Sequence, residues 1–166
     1  GGQWQEALRL LRMLRQGNLD PSSVSYSAGA SACVKGSQWQ RALSLLRESW
    51  QISMDPTVIS YSVGISACDK GGQWQLALAL LSEMVEAGVQ PDVISYSAGI
   101  SAAETDGQWQ CAMALLRDME ECRLERDIIS LNAGISACEK GGQWQHALLM
   151  LSGLRQATLE PNIISY

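Results

Sequence analysis

Several kinds of chemistry are scarce in this chain, and each shortage closes a class of function. There is one histidine, His146, and no carboxylate pair, nucleophile beside a base or phosphate-binding loop accompanies it. The sequence therefore offers no catalytic constellation, and a non-enzymatic protein with no cofactor, metal or small-molecule substrate is expected. The five cysteines include no C-x-x-C pair and no ligand-type spacing, which argues against a zinc site. No apolar run approaches the ~18 residues that span a bilayer, so no membrane partner is expected. No signal or transit peptide is visible. Lysine is rare, at three residues against nine arginines, and the net charge is −5 over 166 residues. That balance is awkward for a protein whose affinity rests on phosphate contacts alone.

What the chain has in plenty is repetition. Trp4, Trp39, Trp74, Trp109 and Trp144 stand thirty-five residues apart, each inside a GQWQ or SQWQ tetrad. A fixed period of this size marks one supersecondary unit copied in tandem, the signature of a solenoid. The repeat divides the chain into a partial unit at 1–22, complete units at 23–57, 58–92, 93–127 and 128–162, and the start of another at 163–166. The chain starts and stops inside a unit and lacks polar end-capping helices, which reads as a window cut from a longer array.

Each unit is punctuated as two antiparallel helices. In 58–92 the first half ends at Gly71-Gly72, and the second ends at Gly88 with Pro91 beyond it. The second helix, B, is amphipathic: Trp74, Ala77, Leu78, Leu81 and Met84 form one apolar stripe. The first helix, A, has two faces of different kind. Tyr61, Ile65 and Cys68 make an apolar row, with Cys33, Cys68 and Cys138 expected as buried, reduced thiols at equivalent places. A glycine recurs inside every helix A (Gly29, Gly64, Gly99, Gly134), which predicts a close approach between helices there. The opposite row reads Ile59, Ser62, Ser66, Lys70, a small polar strip that begins with an unexplained aliphatic and ends in a cation. All three lysines, Lys35, Lys70 and Lys140, fall in that last slot. They read either as helix-end charges complementing the macrodipole or as a ladder facing a polyanion.

The period, the two-helix unit and strings such as VISYSVGISACDKGGQWQLALALLSEMVEAGVQPD resemble the pentatricopeptide repeat family, in its simple type with units of equal length. The resemblance implies an all-α, right-handed superhelical solenoid whose A helices hold single-stranded RNA, one base per repeat, as is known for that family. It implies reading pairs at the fifth and last residues of each unit: Ser27 with Thr57, Ser62 with Asp92, Ser97 with Asp127, and Asn132 with Asn162. It implies wedges between bases at Val24, Ile59, Ile94, Ile129 and Ile164, and phosphate contacts at Lys35, Lys70 and Lys140. With the N-terminus at the 5′ side, the family's pairing rule gives a core of 5′-(A or undefined)-G-G-Y-3′. An organelle, chloroplast or mitochondrion, is the implied compartment, with RNA processing, stabilisation or translation as the task. Residues in the last slot (Ser22, Thr57, Asp92, Asp127, Asn162) are also all helix-capping types, a role compatible with reading. The third unit departs from the pattern: Arg126 replaces Pro, Thr105 replaces Lys, and Leu131 then replaces Tyr, so weaker grip is expected there. Asp69 and Glu139 are expected to offset Lys70 and Lys140 in part. The alternative is a tetratricopeptide-like scaffold for protein partners, but that pattern has a period of 34 and carries its Trp in helix A.

Overall fold

The computed structural model describes residues 3–17, 21–52 and 55–156, with side chains as far as 152. Asn162, Ile164 and the expected further helix at 163–166 lie outside the described residues. Within them the chain forms nine α-helices and no strand: α1 (Gln3–Gln16), α2 (Ser23–Lys35), α3 (Trp39–Gln51), α4 (Val58–Lys70), α5 (Trp74–Glu86), α6 (Val93–Thr105), α7 (Trp109–Glu121), α8 (Ile128–Lys140) and α9 (Trp144–Gln156). The even-numbered helices are the A helices of the sequence, and the odd-numbered ones are B helices.

Glycine chemistry makes the turns. After each A helix comes a residue with positive φ: Ser37 at 57°, Gly72 at 62°, Gly107 at 62° and Gly142 at 69°. The next amide then reaches back over the helix end, as Gln73 N–H does to Cys68 O (2.9 Å) and Gln143 N–H to Cys138 O (2.7 Å). This back-bonding satisfies carbonyls that the helix leaves orphaned. The GGQ and GSQ strings therefore encode a fixed reversal of the chain.

The helices are arranged in two layers. Successive A helices α2, α4, α6 and α8 pack on one another, and each packs on its own B helix and on the preceding B helix, whereas no two B helices pack side by side to a comparable extent among the described residues. Close contact along one layer and divergence along the other bends the array toward the A side. The A helices thus form the inner face of an all-α solenoid.

The core is the pair of apolar rows read from the sequence. Tyr26, Tyr61, Ile65, Ile100, Ala77, Ala112, Met84 and Met119 are all buried. Cys33, Cys68 and Cys138 are fully buried, and so is Ala103 in the equivalent place. Burial pushes all three thiols above their ordinary range, Cys68 to about 11, against weaker opposing pulls from Arg41 on Cys33 and Arg47 on Cys68.

The recurring tryptophans join one unit to the next. Trp4, Trp39 and Trp109 lie against Gly36, Gly71 and Gly141 of the following turn, where an added Cβ would sit 2.3, 2.6 and 2.5 Å from the indole rings. Asp106 occupies this slot once, after helix α6. Arg41 covers the outer side of Trp4, with its guanidinium 4.5 Å from the ring centroid.

The glycines inside the A helices also mark close approach, to differing degrees. A Cβ at Gly29 or Gly134 would stand 2.6 Å from Leu11 or Leu116 of the preceding B helix, but at Gly64 its nearest neighbours are Leu46 and Leu80 at 3.4 Å. Gly64→Ala should therefore raise the melting temperature, since Ala gains up to ~1 kcal/mol of helix propensity and meets only ordinary contact. Gly71→Ala should lower it, because overpacking against Trp39 costs about 1–3 kcal/mol. Thermal melts followed by circular dichroism check both. Alkylation mapped by mass spectrometry should label exposed Cys122 first and spare Cys33, Cys68 and Cys138 until the protein unfolds.

Candidate nucleic-acid interface

The inner face is built from one strip of each A helix. Its first members are aliphatic and point into solvent: Val24, Ile59, Ile94 and Ile129 are 72, 65, 63 and 67% exposed. Among the described A helices these are the only large apolar side chains so exposed. Every other large apolar position on those helices is at least half withdrawn into the core. Four copies of one costly exposure, at one slot of successive units, form a row that packing does not explain.

One turn further along each helix stands the fifth residue of the unit. Ser27, Ser62 and Asn132 are buried to within 7 or 8% exposure, and Ser97 is half-buried. They line the floor between successive A helices. The Ser62 hydroxyl lies 2.7 Å from Val58 O, 2.9 Å from Ser95 Oγ and 3.4 Å from Asp92 Oδ1. Ser97 Oγ lies 2.7 Å from Val93 O and 3.2 Å from Asp127 Oδ1. Two of the expected pairs, Ser62 with Asp92 and Ser97 with Asp127, are therefore brought together, the first and last parts of one unit meeting at the start of the next helix. No hydrogen bond joins Ser27 to Thr57, and the fourth pair cannot be placed because Asn162 is outside the described residues.

The last residue of each unit caps the next helix. Ser22 Oγ, Thr57 Oγ1, Asp92 Oδ1 and Asp127 Oδ1 accept from the amides of Ser25 (3.3 Å), Ser60 (3.2 Å), Ser95 (2.8 Å) and Ser130 (2.9 Å). This satisfies an orphan N–H of the first turn. In both aspartates the capping uses Oδ1, which at Asp92 also accepts from Ser95 Oγ at 2.7 Å. The second oxygen, Oδ2, has no hydrogen bond among the described residues. A half-buried carboxylate is thereby held by one oxygen and presents the other as a pure acceptor.

The three lysines close the strip, and their surroundings differ. Lys35 is exposed and forms no ion pair among the described residues. Lys70 has a side chain 63% exposed, with Asp69 Oδ2 at 3.4 Å. Lys140 donates to Glu104 Oε1 at 3.0 Å, and Ser136 Oγ donates to the same oxygen at 2.8 Å. The expected offset of Lys70 by Asp69 is present. For Lys140 the carboxylate is Glu104 of the preceding unit and not Glu139: slot twelve of one unit lies beside slot thirteen of the next, which a search limited to sequence neighbours overlooks. Thr105, in the lysine slot of the third unit, turns its hydroxyl back onto Ala102 O (2.6 Å).

Residues absent from the sequence reading also support the strip. Ser60, Ser95 and Ser130, third in their units, are nearly or fully buried and fix the capping residues from below. Thr57 and Ser60 form a reciprocal capping box. The signal was available, since a capping residue followed three places later by a hydroxyl is a variant of that pattern. No group of three or more metal-ligating side chains occurs among the described residues. None of the helices there is long and apolar enough to cross a membrane.

Comparison with known proteins agrees with the fold. Residues 56–104 match the PPR repeat family, and residues 114–166 match the pentatricopeptide repeat domain. Together these matches cover more than half of the chain. The chain belongs to the pentatricopeptide repeat family. Among solved structures it is similar to the pentatricopeptide repeat protein PPR10 in complex with an 18-nucleotide psaJ RNA element, at 28% identity and a TM-score of 0.78, covering 99% of this chain and 24% of that one. The pentatricopeptide repeat protein PPR10 from maize superposes at 23% identity with a TM-score of 0.71, over 100% of this chain and 24% of that one. The pentatricopeptide repeat domain of Arabidopsis thaliana protein-only RNase P 1, in complex with tRNA, gives a TM-score of 0.84 at 18% identity, over 99% of this chain and 86% of that domain. This chain thus spans about a quarter of the length of PPR10. No curated protein sequence matches it.

Proposed function

We propose that the inner face binds single-stranded RNA with one base per helix pair, the 5′ end lying toward the N-terminus. The observation that carries this reading is the row of exposed aliphatics. Val24, Ile59, Ile94 and Ile129 stand out from the A helices where flat apolar faces could slide between them. Sandwiching a base would remove most of that surface from water, and fully burying an aliphatic side chain is worth about 1.5–3 kcal/mol. A strand of stacked bases presents one such face per nucleotide, as the inner face presents one exposed aliphatic per unit. The RNA in the PPR10 complex supports the ligand class.

The bases are read at the pairs. Asp92 and Asp127 each keep one oxygen as acceptor only, which favours bases that present N–H donors, guanine or uracil. The neighbouring serine selects guanine in the family rule, so Ser62 with Asp92 and Ser97 with Asp127 both read G. Asn132 with Asn162 reads a pyrimidine, and Ser27 with Thr57 reads A or discriminates little. The preferred core is 5′-(A/N)-G-G-Y-3′. The slot that meets phosphate in the family is filled by Lys35, Lys70 and Lys140, so at most three phosphate contacts come from it. In this reading the array is a binding element and not an enzyme, and it serves RNA processing, stabilisation or translation in a chloroplast or mitochondrion.

Selection from a random single-stranded RNA pool tests the ligand, the polarity and the code together. Asp92→Asn makes the sharpest single change. Asparagine caps as well as aspartate, so the fold is kept while the free acceptor becomes an amide that can donate. The second base should move from G toward A by about tenfold in relative affinity, ~1.4 kcal/mol; unchanged preference for G sinks the assigned pair. Replacing Lys35, Lys70 and Lys140 together by Gln should flatten the salt dependence and leave base preference intact. With three contacts the logarithmic slope should be no steeper than about −2, at ~0.7 per phosphate, as read by fluorescence anisotropy across a salt series.

A further inference from the structure

Glu104, in slot twelve of its unit, lies beside the inner strip of the following helix. Its Oε1 accepts from Lys140 Nζ at 3.0 Å and from Ser136 Oγ at 2.8 Å, so it touches two successive strip positions of the following helix. Its side chain is only 25% exposed, against 44% for Lys140. This is a held carboxylate with two donors, unlike Asp69, which approaches Lys70 at 3.4 Å without a hydrogen bond. At the equivalent place before Lys70 the chain carries Val34, and Lys35 has no carboxylate beside it among the described residues.

We propose that Glu104 is a specificity-determining residue which occupies Lys140 in place of an RNA phosphate. The inference rests on the RNA reading above and refines it. A carboxylate oxygen and a phosphate oxygen compete for the same ammonium, and the carboxylate is tethered beside it. A phosphate that displaced Glu104 would come to rest against the anion it had evicted, so the exchange gains little. The third unit has Thr105 where the others have Lys, and its hydroxyl is turned inward. Two consecutive units therefore give the backbone no free cation, and the 3′ half of the bound strand is held by base contacts alone. Mismatches there lack the compensation that a sequence-independent phosphate contact provides.

The array then has two effective cations, Lys35 and Lys70. The wild-type salt slope should be about −1.4, and Glu104→Gln, which frees Lys140 while keeping an acceptor for Ser136, should steepen it to about −2. Anisotropy with a short labelled single-stranded RNA containing AGGC, between about 50 and 200 mM salt, would then show an added 2.5-fold or so loss for the variant across that range. At low salt E104Q should bind severalfold tighter and discriminate less against a substituted 3′ base. K140Q alone should change the slope little, but in the E104Q background it should return the slope to the wild-type value. Reductive methylation of the free protein gives a readout without RNA: Lys140 should react more slowly than Lys35, and equally in E104Q. If K140Q flattens the wild-type slope as much as K35Q does, or if E104Q leaves slope and lysine reactivity unchanged, this inference is overturned while the RNA reading stands. Failure of every form, wild type included, to bind the RNA would overturn the RNA reading and this inference with it.

Discussion

The contact between an indole and a bare glycine backbone sets the geometry of this solenoid. Trp39 against Gly71, and its counterparts at Gly36 and Gly141, lock the start of one B helix to the turn of the following unit. At these three junctions no Cβ intervenes and the ring rests directly on the peptide plane, whereas at the remaining one Asp106 carries a Cβ in the glycine's place.

Electrostatically the strip is close to balanced. Lys35 has no carboxylate beside it among the described residues, Lys70 is accompanied by Asp69, Lys140 is held by Glu104, and the carboxylates of Asp92 and Asp127 lie between them. A groove of this kind attracts a polyanion weakly at long range, since the net charge of the chain is −5. In the RNA reading proposed above, selectivity then rests on the groups that would meet bases. Asp92 is fixed by the Ser95 amide and hydroxyl before any ligand arrives, so little side-chain freedom remains to be lost on binding.

Much of this was legible in the sequence because repetition averages out ambiguity. Helix B could be read from one apolar stripe, and its boundaries from glycine and proline. The inner strip could be read from Ile59 and its equivalents, since an aliphatic opposite the core face has no packing reason to be there. The glycines within the A helices correctly announced close approach, although their differing tightness, slack at Gly64 and tight at Gly134, depends on leucine positions that no local pattern encodes. The partner of Lys140 escaped for a related reason. Glu139 is adjacent in the chain, but Glu104 is adjacent in space through the stacking of units, and only the register between helices reveals it. The third-slot serines escaped because a small hydroxyl in a helix resembles filler until its cap is seen.

The tryptophan–glycine contact has a consequence for how such a chain can change. An α-helix turns by about 100° per residue, so one residue inserted inside α4 before Gly71 would rotate the part of the helix beyond it relative to the indole and turn the strip away from its neighbours. Substitution at Ser62 or Asp92 leaves that phase untouched. The frame is therefore rigid where the proposed reading positions are free: in that reading ligand preference can drift one residue at a time, while the phase of the strip is kept when the array grows or shrinks by whole units of thirty-five.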